Sequence, residues 1–189
     1  ETGVRLWSPR WGSADLGYYL MNVKNEIYFN PSSGFFGTNF NFERVNHRGL
    51  EAEVRVTPLD PETPVGLEVF GAYTYTDAVI ESIGLEGKRY PVTPPHQGQL
   101  GATVSYDVVY VTLLGRFVGS RYQISDTSNT APKLGKYALM DTKVSVRWGK
   151  ALASLAVYNV FDRDYFESGG LGFAGTAFNP GAERSMLIS

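Results

Sequence analysis

The residues best suited to chemistry are two histidines, one glycine-rich run and one pair of carboxylates. His47 and His96 are the only histidines, and neither has a His, Cys or carboxylate beside it at metal-site spacing. The run "GLGFAG" at 170–175 spells G-x-G-x-x-G, which binds dinucleotides between a strand and a helix, but no helical pattern follows it. Asp162 and Asp164 could pair for acid–base chemistry, yet they stand where a strand turns into a loop. The sequence therefore predicts no enzyme, no cofactor and no metal, and "GLGFAG" is predicted to be a flexible loop.

Composition narrows the class of protein. Of 189 residues, 43% are hydrophobic and 14% aromatic, which excludes a disordered chain. The formal net charge is -2 and there are no long charged runs, so no nucleic-acid partner is expected. No run reaches the roughly 18 apolar residues of a membrane helix. The first residues, "ETGVRLW", show no signal peptide, so we expect that one was removed or that the chain starts further upstream.

The elements that must carry any site are strands, because hydrophobic residues recur with a period of two. In "GLEAEVRVT" (49–57) the even positions are apolar and the odd ones from 51 to 55 are charged. The same alternation occurs in "GLEVFGAYTYTDA" (66–78) and "KYALMDTKVSVRW" (136–148). We predict an all-β, antiparallel protein with strands at about 1–7, 16–23, 26–30, 42–57, 65–82, 98–106, 109–121, 136–148, 151–166 and 181–189.

The predicted connections alternate in length. Tight turns are expected at Lys24-Asn25, Asp107-Val108 and Gly149-Lys150, with a short connection at "PLDPETP" (58–64). Between them lie longer loops such as "PSSGFFGTNFN", "IGLEGKRYPVTPPHQ" and "LGFAGTAFNPG". Outer-membrane β-barrels have short turns at one end and long loops at the other. The pattern therefore favours a transmembrane β-barrel.

Strand length and aromatic residues agree with a membrane barrel. A barrel strand needs about 9–11 residues to cross the hydrocarbon, and globular strands average about 5–6. The predicted strands 42–57 and 65–82 exceed both lengths. Aromatic residues near strand ends are expected to form the interfacial girdles, although aromatics also favour strands in general; these residues are Tyr73, Tyr75, Tyr106, Phe117 and Trp148.

Five phrases resemble the C-terminal portion of the TonB-dependent outer-membrane receptors. "AVYNVFDRDYF" (156–166) is similar to the N-L-F-D-x-x-Y signature of their penultimate strand, and "NPGAERSMLIS" (179–189) to the P-G-x-x-R entry into the last strand. "KNEIYFNP" followed by "RVNHRGLEAEV" resembles the family's d-x-I, loop, x-G-h-E arrangement, in which h is an apolar residue. "VFGAYTYTDA" and the P-x-x-P-x-H within "GLEGKRYPVTPPHQGQLGATVSY" complete the series, in the family's order.

The resemblance implies an outer-membrane location and a larger protein. Such barrels have about 22 strands, so residues 1–189 would be the C-terminal part, with the plug domain and the N-terminal barrel strands absent from this chain. An open sheet edge in lipid leaves backbone groups unpaired at several kcal/mol each, which agrees with missing neighbours at both edges. The implied partners are outer-membrane lipid, the remaining barrel and plug, TonB through the plug, and a small-molecule ligand such as a ferric siderophore, haem or cobalamin.

Ligand contacts are expected in the extracellular loops, because exposed aromatic and arginine residues are typical of binding surfaces. The alternative is that these residues pack loop against loop. The candidates are Trp11, Phe35, Phe36, Arg89, Tyr90, Arg121 and Tyr122. Basic lumen residues (Arg116, Lys143 and Arg147) could attract an anionic ligand or pair with Glu51, Glu53 or Glu68.

Two other hypotheses fit part of the pattern. A self-contained ten-stranded outer-membrane barrel, porin-like or a surface enzyme, predicts that the first and last strands pair. A soluble lipocalin-like binding protein predicts polar outer faces around an internal cavity. The girdle aromatics and the long strands favour the membrane.

Overall fold

Nine strands of the computed structural model run back and forth as an antiparallel meander, and a two-residue strand pairs beside them. The structure describes residues 1–60, 62–172 and 175–189. None of the described residues belongs to a helix long and apolar enough to cross a membrane. The strands are β1 (Thr2–Ser8), β2 (Gly12–Asn30), β3 (Thr38–Val56), β4 (Val65–Ile80), β5 (Lys88–Arg89), β6 (His96–Tyr106), β7 (Val109–Val118), β8 (Tyr137–Trp148), β9 (Ala151–Tyr158), β10 (Phe166–Gly172), β11 (Gly175–Pro180) and β12 (Ser185–Ile188).

The predicted all-β antiparallel fold is confirmed, and its two outermost strands are not joined. Among residues 1–60, 62–172 and 175–189, β1 pairs only with β2, and β12 pairs only with β9. The sheet formed by the described residues is therefore an open portion of a barrel. The pairing of first and last strands that a self-contained barrel requires is absent from this part of the chain.

The predicted turn at Lys24-Asn25 is wrong, because β2 runs through it as one strand of 19 residues. Asn25 has a left-handed backbone (φ 54°), which asparagine tolerates better than most residues. The pairing with β3 keeps its register on both sides, since Lys24 faces Arg44 and Glu26 faces Phe42. The buried face changes at this point. On β3 the buried positions Phe42 and Val45 are three residues apart rather than two or four.

Short turns and long loops lie at opposite ends of the sheet. Turns 9–11, 107–108 and 149–150 and the connection 57–64 join strands at one end, although residue 61 lies outside the described residues. The loops 31–37, 81–95 and 119–136 and the segment 159–184 lie at the other end. The alternation predicted from the sequence is therefore present. Merging two predicted strands into β2 moves the 9–11 turn to the short-turn end.

The two faces of the sheet differ in polarity. Cross-strand neighbours on one face are apolar row after row, as in Leu16, Ala52 and Tyr73. All five predicted girdle aromatics lie at positions of this face: Tyr73, Tyr75 and Phe117 towards the long loops, and Tyr106 and Trp148 beside the short turns. Tyr106 and Trp148 are 61% and 87% exposed, as expected of a surface that meets lipid.

The opposite face carries ion pairs along the length of the sheet. Arg55 bonds to Glu68 at 2.7 Å, and Arg116 bonds to Asp141 at 2.9 Å. Of the two alternatives predicted for Arg116, it pairs with a carboxylate, but its partner is Asp141 and not Glu51, Glu53 or Glu68. Arg147 instead lies 5.4 Å from the ring of Tyr110.

The last predicted loop contains a hairpin. β10 and β11 pair with each other, so the expectation of a flexible loop over "GLGFAG" is wrong for residues 170–172 and 175; residues 173 and 174 lie outside the described residues. A glycine at 169 permits this pairing, since an added Cβ would enter the ring of Phe178. The predicted strand 151–166 also ends earlier, at Tyr158, because Asn159 (φ 49°) and Asp162 (φ 52°) turn the chain.

Asn159 fastens this turn to the segment that leads into β12. Its side-chain amide donates to the carbonyls of Arg163 at 3.0 Å and Ala182 at 3.2 Å, and its Oδ1 accepts the Arg163 N–H at 2.9 Å. Its own N–H donates to Asp141 of β8 at 2.9 Å. One buried asparagine thus connects three stretches of chain.

Two further contacts join the same stretches. The Arg184 N–H donates to Asp162 Oδ1 at 2.8 Å, and the Gly181 N–H donates to the Tyr165 carbonyl at 2.8 Å. "YNVFDRDY" and "NPGAER" are therefore two halves of one clasp, and the clasp delivers β12 to the edge of β9.

Replacing Asn159 with alanine is expected to loosen β12. The change removes hydrogen bonds of about 1 kcal/mol each and leaves the carbonyls of Arg163 and Ala182 without this donor, so amide exchange at Ser185 and Leu187, whose N–H groups face β9, should rise about tenfold. Asn25→Ala is the matched control, because Asn25 has the same left-handed backbone but no side-chain hydrogen bond among the described residues. Equal exchange in the two variants would refute the clasp.

Candidate functional site

Three of the long connections are packed together at the long-loop end. The Val92 N–H donates to the Tyr122 carbonyl at 2.9 Å, which joins loop 81–95 to loop 119–136. The Ile124 N–H donates to the Gly169 carbonyl at 3.0 Å, which joins loop 119–136 to β10. These loops therefore form one connected surface.

A cavity of about 300 Å³ lies within this surface. Four of the seven predicted ligand residues line it, namely Arg89, Tyr90, Arg121 and Tyr122, together with His96 and Lys133. None of its lining residues is Asp or Glu. A cavity lined by three basic residues, of which only Arg89 has a carboxylate partner, favours an anionic occupant.

Arg121 is the buried member of this set, with only 5% of its surface exposed. Its Nη2 donates to the carbonyl of Phe166 at 2.9 Å and to that of Glu167, and its guanidinium lies 5.7 Å from the ring of Tyr137. Its Nη1 is buried without an acceptor, and no carboxylate lies within ion-pair distance of it among the described residues. Arg121 therefore holds the start of the β10–β11 hairpin, and its charge has no counter-ion in the described part of the chain.

Arg89 differs from Arg121 in having a carboxylate partner. Its guanidinium contacts Asp77, a buried carboxylate that also accepts from Arg48 Nη2 at 2.7 Å. The Arg89 backbone is held as well, since its N–H donates to Asn129 Oδ1 at 2.6 Å and its carbonyl accepts from Asn129 Nδ2 at 3.0 Å. Asn129 thus positions Arg89 across two loops.

Tyr90 packs into the core of the loop region. Its ring contacts those of Tyr28 (5.6 Å), Phe42 (5.7 Å) and His47 (5.8 Å). Burial, and then the nearby charge of Glu26, raise the pKa of the Tyr90 phenol to about 12. Burial also raises the pKa of Tyr28.

We expect the tyrosine core to weaken at alkaline pH. The folded pKa of Tyr90 lies above the ordinary value of about 10, so the neutral phenol stabilises the fold fully below pH 10, and this contribution is lost as the pH rises to about 12. In a spectrophotometric titration, the difference between wild type and Tyr90→Phe should be one phenol with a midpoint near pH 12. In urea, where the chain is unfolded, the midpoint of the same difference should fall to about pH 10. A folded-state difference centred near pH 10 would show that Tyr90 is not buried as described.

Tyr122 and His96 complete the cavity wall. Lys133 Nζ lies 4.5 Å from the centre of the Tyr122 ring. His96 Nδ1 lies 2.7 Å from the Tyr73 hydroxyl, and the other histidine, His47, is hydrogen-bonded to Glu26 at 2.8 Å. Across the described ranges, no three His, Cys, Asp or Glu side chains are close enough to hold a metal ion.

Phe35 and Phe36 lie apart from the cavity, at the tip of loop 31–37. They are 66% and 87% exposed, and their rings meet edge to face at 4.8 Å. They lie at the same end as the cavity, but do not line it.

Trp11 does not belong with the other candidates, and its predicted place in a long loop is wrong. It stands in the turn between β1 and β2, at the short-turn end, where its carbonyl accepts from the Thr57 N–H at 3.0 Å. The guanidinium of Arg10 lies 4.8 Å from its ring. The error follows from the predicted turn at Lys24-Asn25, which placed one loop too many at the long end.

Comparison with protein-family models decides the family. Residues 1–160 match the model described as "TonB dependent receptor-like, beta-barrel". The chain belongs to this family. Its members are β-barrel proteins of the outer membrane of Gram-negative bacteria, which agrees with the localisation predicted from the sequence. A comparison with curated proteins found no match.

Solved structures of TonB-dependent receptors have the same fold. The ferric-catecholate import receptor Fiu of E. coli K12 is 25% identical, with a TM-score of 0.72, over 98% of this chain and 26% of Fiu. The ferric citrate transporter FecA is 23% identical, with a TM-score of 0.79, over 98% of this chain and 29% of FecA. The copper transporter OprC is 18% identical, with a TM-score of 0.75, over 97% of this chain and 29% of OprC. The chain thus spans about a quarter of the length of these receptors.

Sequence reasoning missed the residues that build the TonB-dependent receptor's loop surface. Asp126 accepts the N–H groups of Thr130 at 2.8 Å and Ala131 at 3.1 Å, and it shapes the turn that presents Asn129. The signal was available in "DTSNT" (126–130), because Asp and Asn at such spacing are typical of side-chain-stabilised turns.

Proposed function

We propose that this chain is the C-terminal part of the barrel of a TonB-dependent receptor that takes up a scarce nutrient. Further strands of the same receptor would pair with β1 and β12, a plug domain would fill the lumen, and TonB would act on the plug. The open outer edges of β1 and β12 support this arrangement, since unpaired edges are not tolerated in lipid.

We further propose that the cavity at the long-loop end contributes to the ligand site, and that the ligand is an anionic metal complex such as a ferric siderophore. The observation that supports this most directly is the buried guanidinium of Arg121, which has no carboxylate partner among the described residues and lines a cavity together with Arg89 and Lys133. A buried charge is costly unless it is paired, so an anionic ligand would compensate it. The ferric-catecholate and ferric citrate receptors named above take up ligands of this kind.

The test uses the complete receptor in detergent and a panel of ligands. We expect ferric tris-catecholate or ferric citrate to quench its tryptophan fluorescence at lower concentration than haem, cobalamin or Cu²⁺. Uptake of the preferred complex by cells should stop when a protonophore collapses the inner-membrane proton gradient. Preference for a neutral or cationic ligand would contradict the anionic assignment, and uptake insensitive to the protonophore would contradict TonB dependence.

A further inference from the structure

The apolar face of the sheet continues into a polar surface just beyond its aromatic level. Tyr18, Leu50 and Tyr75 are cross-strand neighbours on this face. The next rows towards the long loops, by strand register, are Leu20–Arg48–Asp77, Asn22–Asn46–Val79 and Lys24–Arg44. Because Tyr residues mark the membrane–water interface, these three rows lie at the depth of the lipid headgroups.

The outermost row places two like charges directly opposite each other. Lys24 and Arg44 are paired residues of β2 and β3, both are exposed, and neither makes an ion pair with a described residue. Like charges opposed across two strands destabilise a sheet. Asp77 is already shared by Arg48 and Arg89, and Glu81, whose N–H donates to the Arg44 carbonyl at 2.9 Å, makes no ion pair in the described chain. The free Glu81 carboxylate offsets only one of the two cations that are unpaired among the described residues, so the surface keeps a net positive charge.

A pocket of about 380 Å³ opens on the same face between these rows. Its lining comes only from this face: Leu20, Asn22, Asn46, Arg48, Val79 and Glu81. Asn22 Nδ2 donates to Asn46 Oδ1 at 2.6 Å, which leaves further amide groups of both residues for an occupant. Leu20, at the side nearest the apolar rows, is 64% exposed.

We propose that this surface binds the phosphorylated headgroup of an anionic lipid in the outer leaflet. Lys24 and Arg44 would neutralise the phosphate, the Asn22–Asn46 pair would bond to the ester groups between the phosphate and the acyl chains, and Leu20 would contact the upper part of an acyl chain. The order of these groups, apolar then amide then cationic with distance from the membrane centre, matches the order of a lipid. A soluble anion would use the charges but not the exposed leucine. This inference depends on the family assignment and not on the nutrient transported.

The test compares two double variants of the complete receptor. Lys24→Gln/Arg44→Gln removes the like-charge pair, and Lys143→Gln/Arg147→Gln removes an exposed lysine and arginine from the polar face of β8 as the matched control, away from lipid. Each protein is studied in phosphatidylcholine vesicles with and without phosphatidylglycerol, and native mass spectrometry counts the lipids retained. Each basic residue near an anionic surface contributes about fivefold to affinity. Phosphatidylglycerol should therefore bind about 25-fold more weakly to Lys24→Gln/Arg44→Gln and unchanged to the control.

Thermal unfolding gives an independent readout. Phosphatidylglycerol should raise the unfolding temperature of wild type and of the control variant, but not that of Lys24→Gln/Arg44→Gln. If the double variant does not assemble, Lys24→Gln and Arg44→Gln alone should each weaken binding about fivefold. Unchanged lipid retention in the test variant, or equal loss in the control, would overturn the proposal. So would equal stabilisation of the wild type in detergent by inorganic phosphate alone, since the site would then recognise a free anion.

Discussion

Replacing Arg121 with leucine is expected to weaken binding of the proposed anionic metal complex about a hundredfold. Two effects combine in this estimate. The variant loses a positive charge whose Nη1 has no acceptor among the described residues, and it leaves the carbonyls of Phe166 and Glu167 without their donor. Hydrogen bonds from a charged donor contribute about 1.5–3 kcal/mol each, and every 1.4 kcal/mol is about tenfold in affinity.

The measurement is fluorescence quenching by the preferred ferric complex, with limited proteolysis of the β10–β11 hairpin as a second readout. Lys136→Leu is the matched control, since Lys136 stands in the same loop, is exposed and does not line the cavity. Arg121→Lys separates the two effects, because it keeps the charge but cannot reproduce the guanidinium geometry. If the β10–β11 hairpin of Arg121→Leu is cleaved faster but the variant binds the ferric complex normally, Arg121 only holds the hairpin. If neither the rate of cleavage nor the affinity for the complex changes, the site is misassigned.

Replacing Gly49 with alanine is expected to destabilise the barrel by about 3 kcal/mol, as overpacking a close contact does. Gly49 lies on β3 between Tyr19 of β2 and Thr76 of β4. The Tyr19 ring crosses above it, and the Tyr19 and Thr76 hydroxyls are 3.0 Å apart. A Cβ at residue 49 would lie 2.7 Å from the Tyr19 ring and would collide with the Tyr75 carbonyl. Because the Tyr75 carbonyl belongs to the backbone and cannot rotate away from the added Cβ, strands β3 and β4 must move apart.

Gly17→Ala is the control, on the same face and the same pair of strands. An added Cβ at residue 17 meets only the Glu51 carbonyl oxygen, at 4.0 Å. Urea unfolding of the complete receptor, followed by heat-modifiable gel migration, should therefore separate the two alanine variants. Equal midpoints would mean that β3 and β4 tolerate a side chain at residue 49. Pairing Gly49→Ala with Tyr19→Ala should recover only part of the loss, since the Tyr75 carbonyl stays in place.

The fold could be predicted from the sequence wherever a strand has one polar and one apolar face. That condition holds along most of β3, β4 and β8, whose alternation is visible residue by residue. It fails at Lys24-Asn25, because a left-handed residue inside a strand has the same chemistry as a turn. It also fails in β10 and β11, where glycines replace the alternating side chains and ring packing on Gly169 takes their place.

The candidate site could be predicted in composition but not in arrangement. Arg89, Tyr90, Arg121 and Tyr122 stand out as aromatic and cationic residues in loops, and the structure brings them to one cavity. Sequence does not show which of two arginines has a carboxylate partner, because that depends on tertiary contacts. Asp77 reaches Arg89 from β4, whereas Arg121 bonds to backbone carbonyls 45 and 46 residues away.

The clasp between residues 159–165 and 181–184 has a consequence for the order of assembly. Nearly all strand pairs join neighbours along the chain, so the sheet can grow by adding one hairpin at a time with little loop-closure entropy. The β4–β6 pair closes over 81–95, which contains β5, and the β9–β12 pair must close over the longer segment 159–184. By bringing Ala182 and Arg184 against Asn159 and Asp162, the clasp shortens the effective loop that β12 must search. The edge of this sheet that forms most slowly therefore contains the contacts that position its last strand.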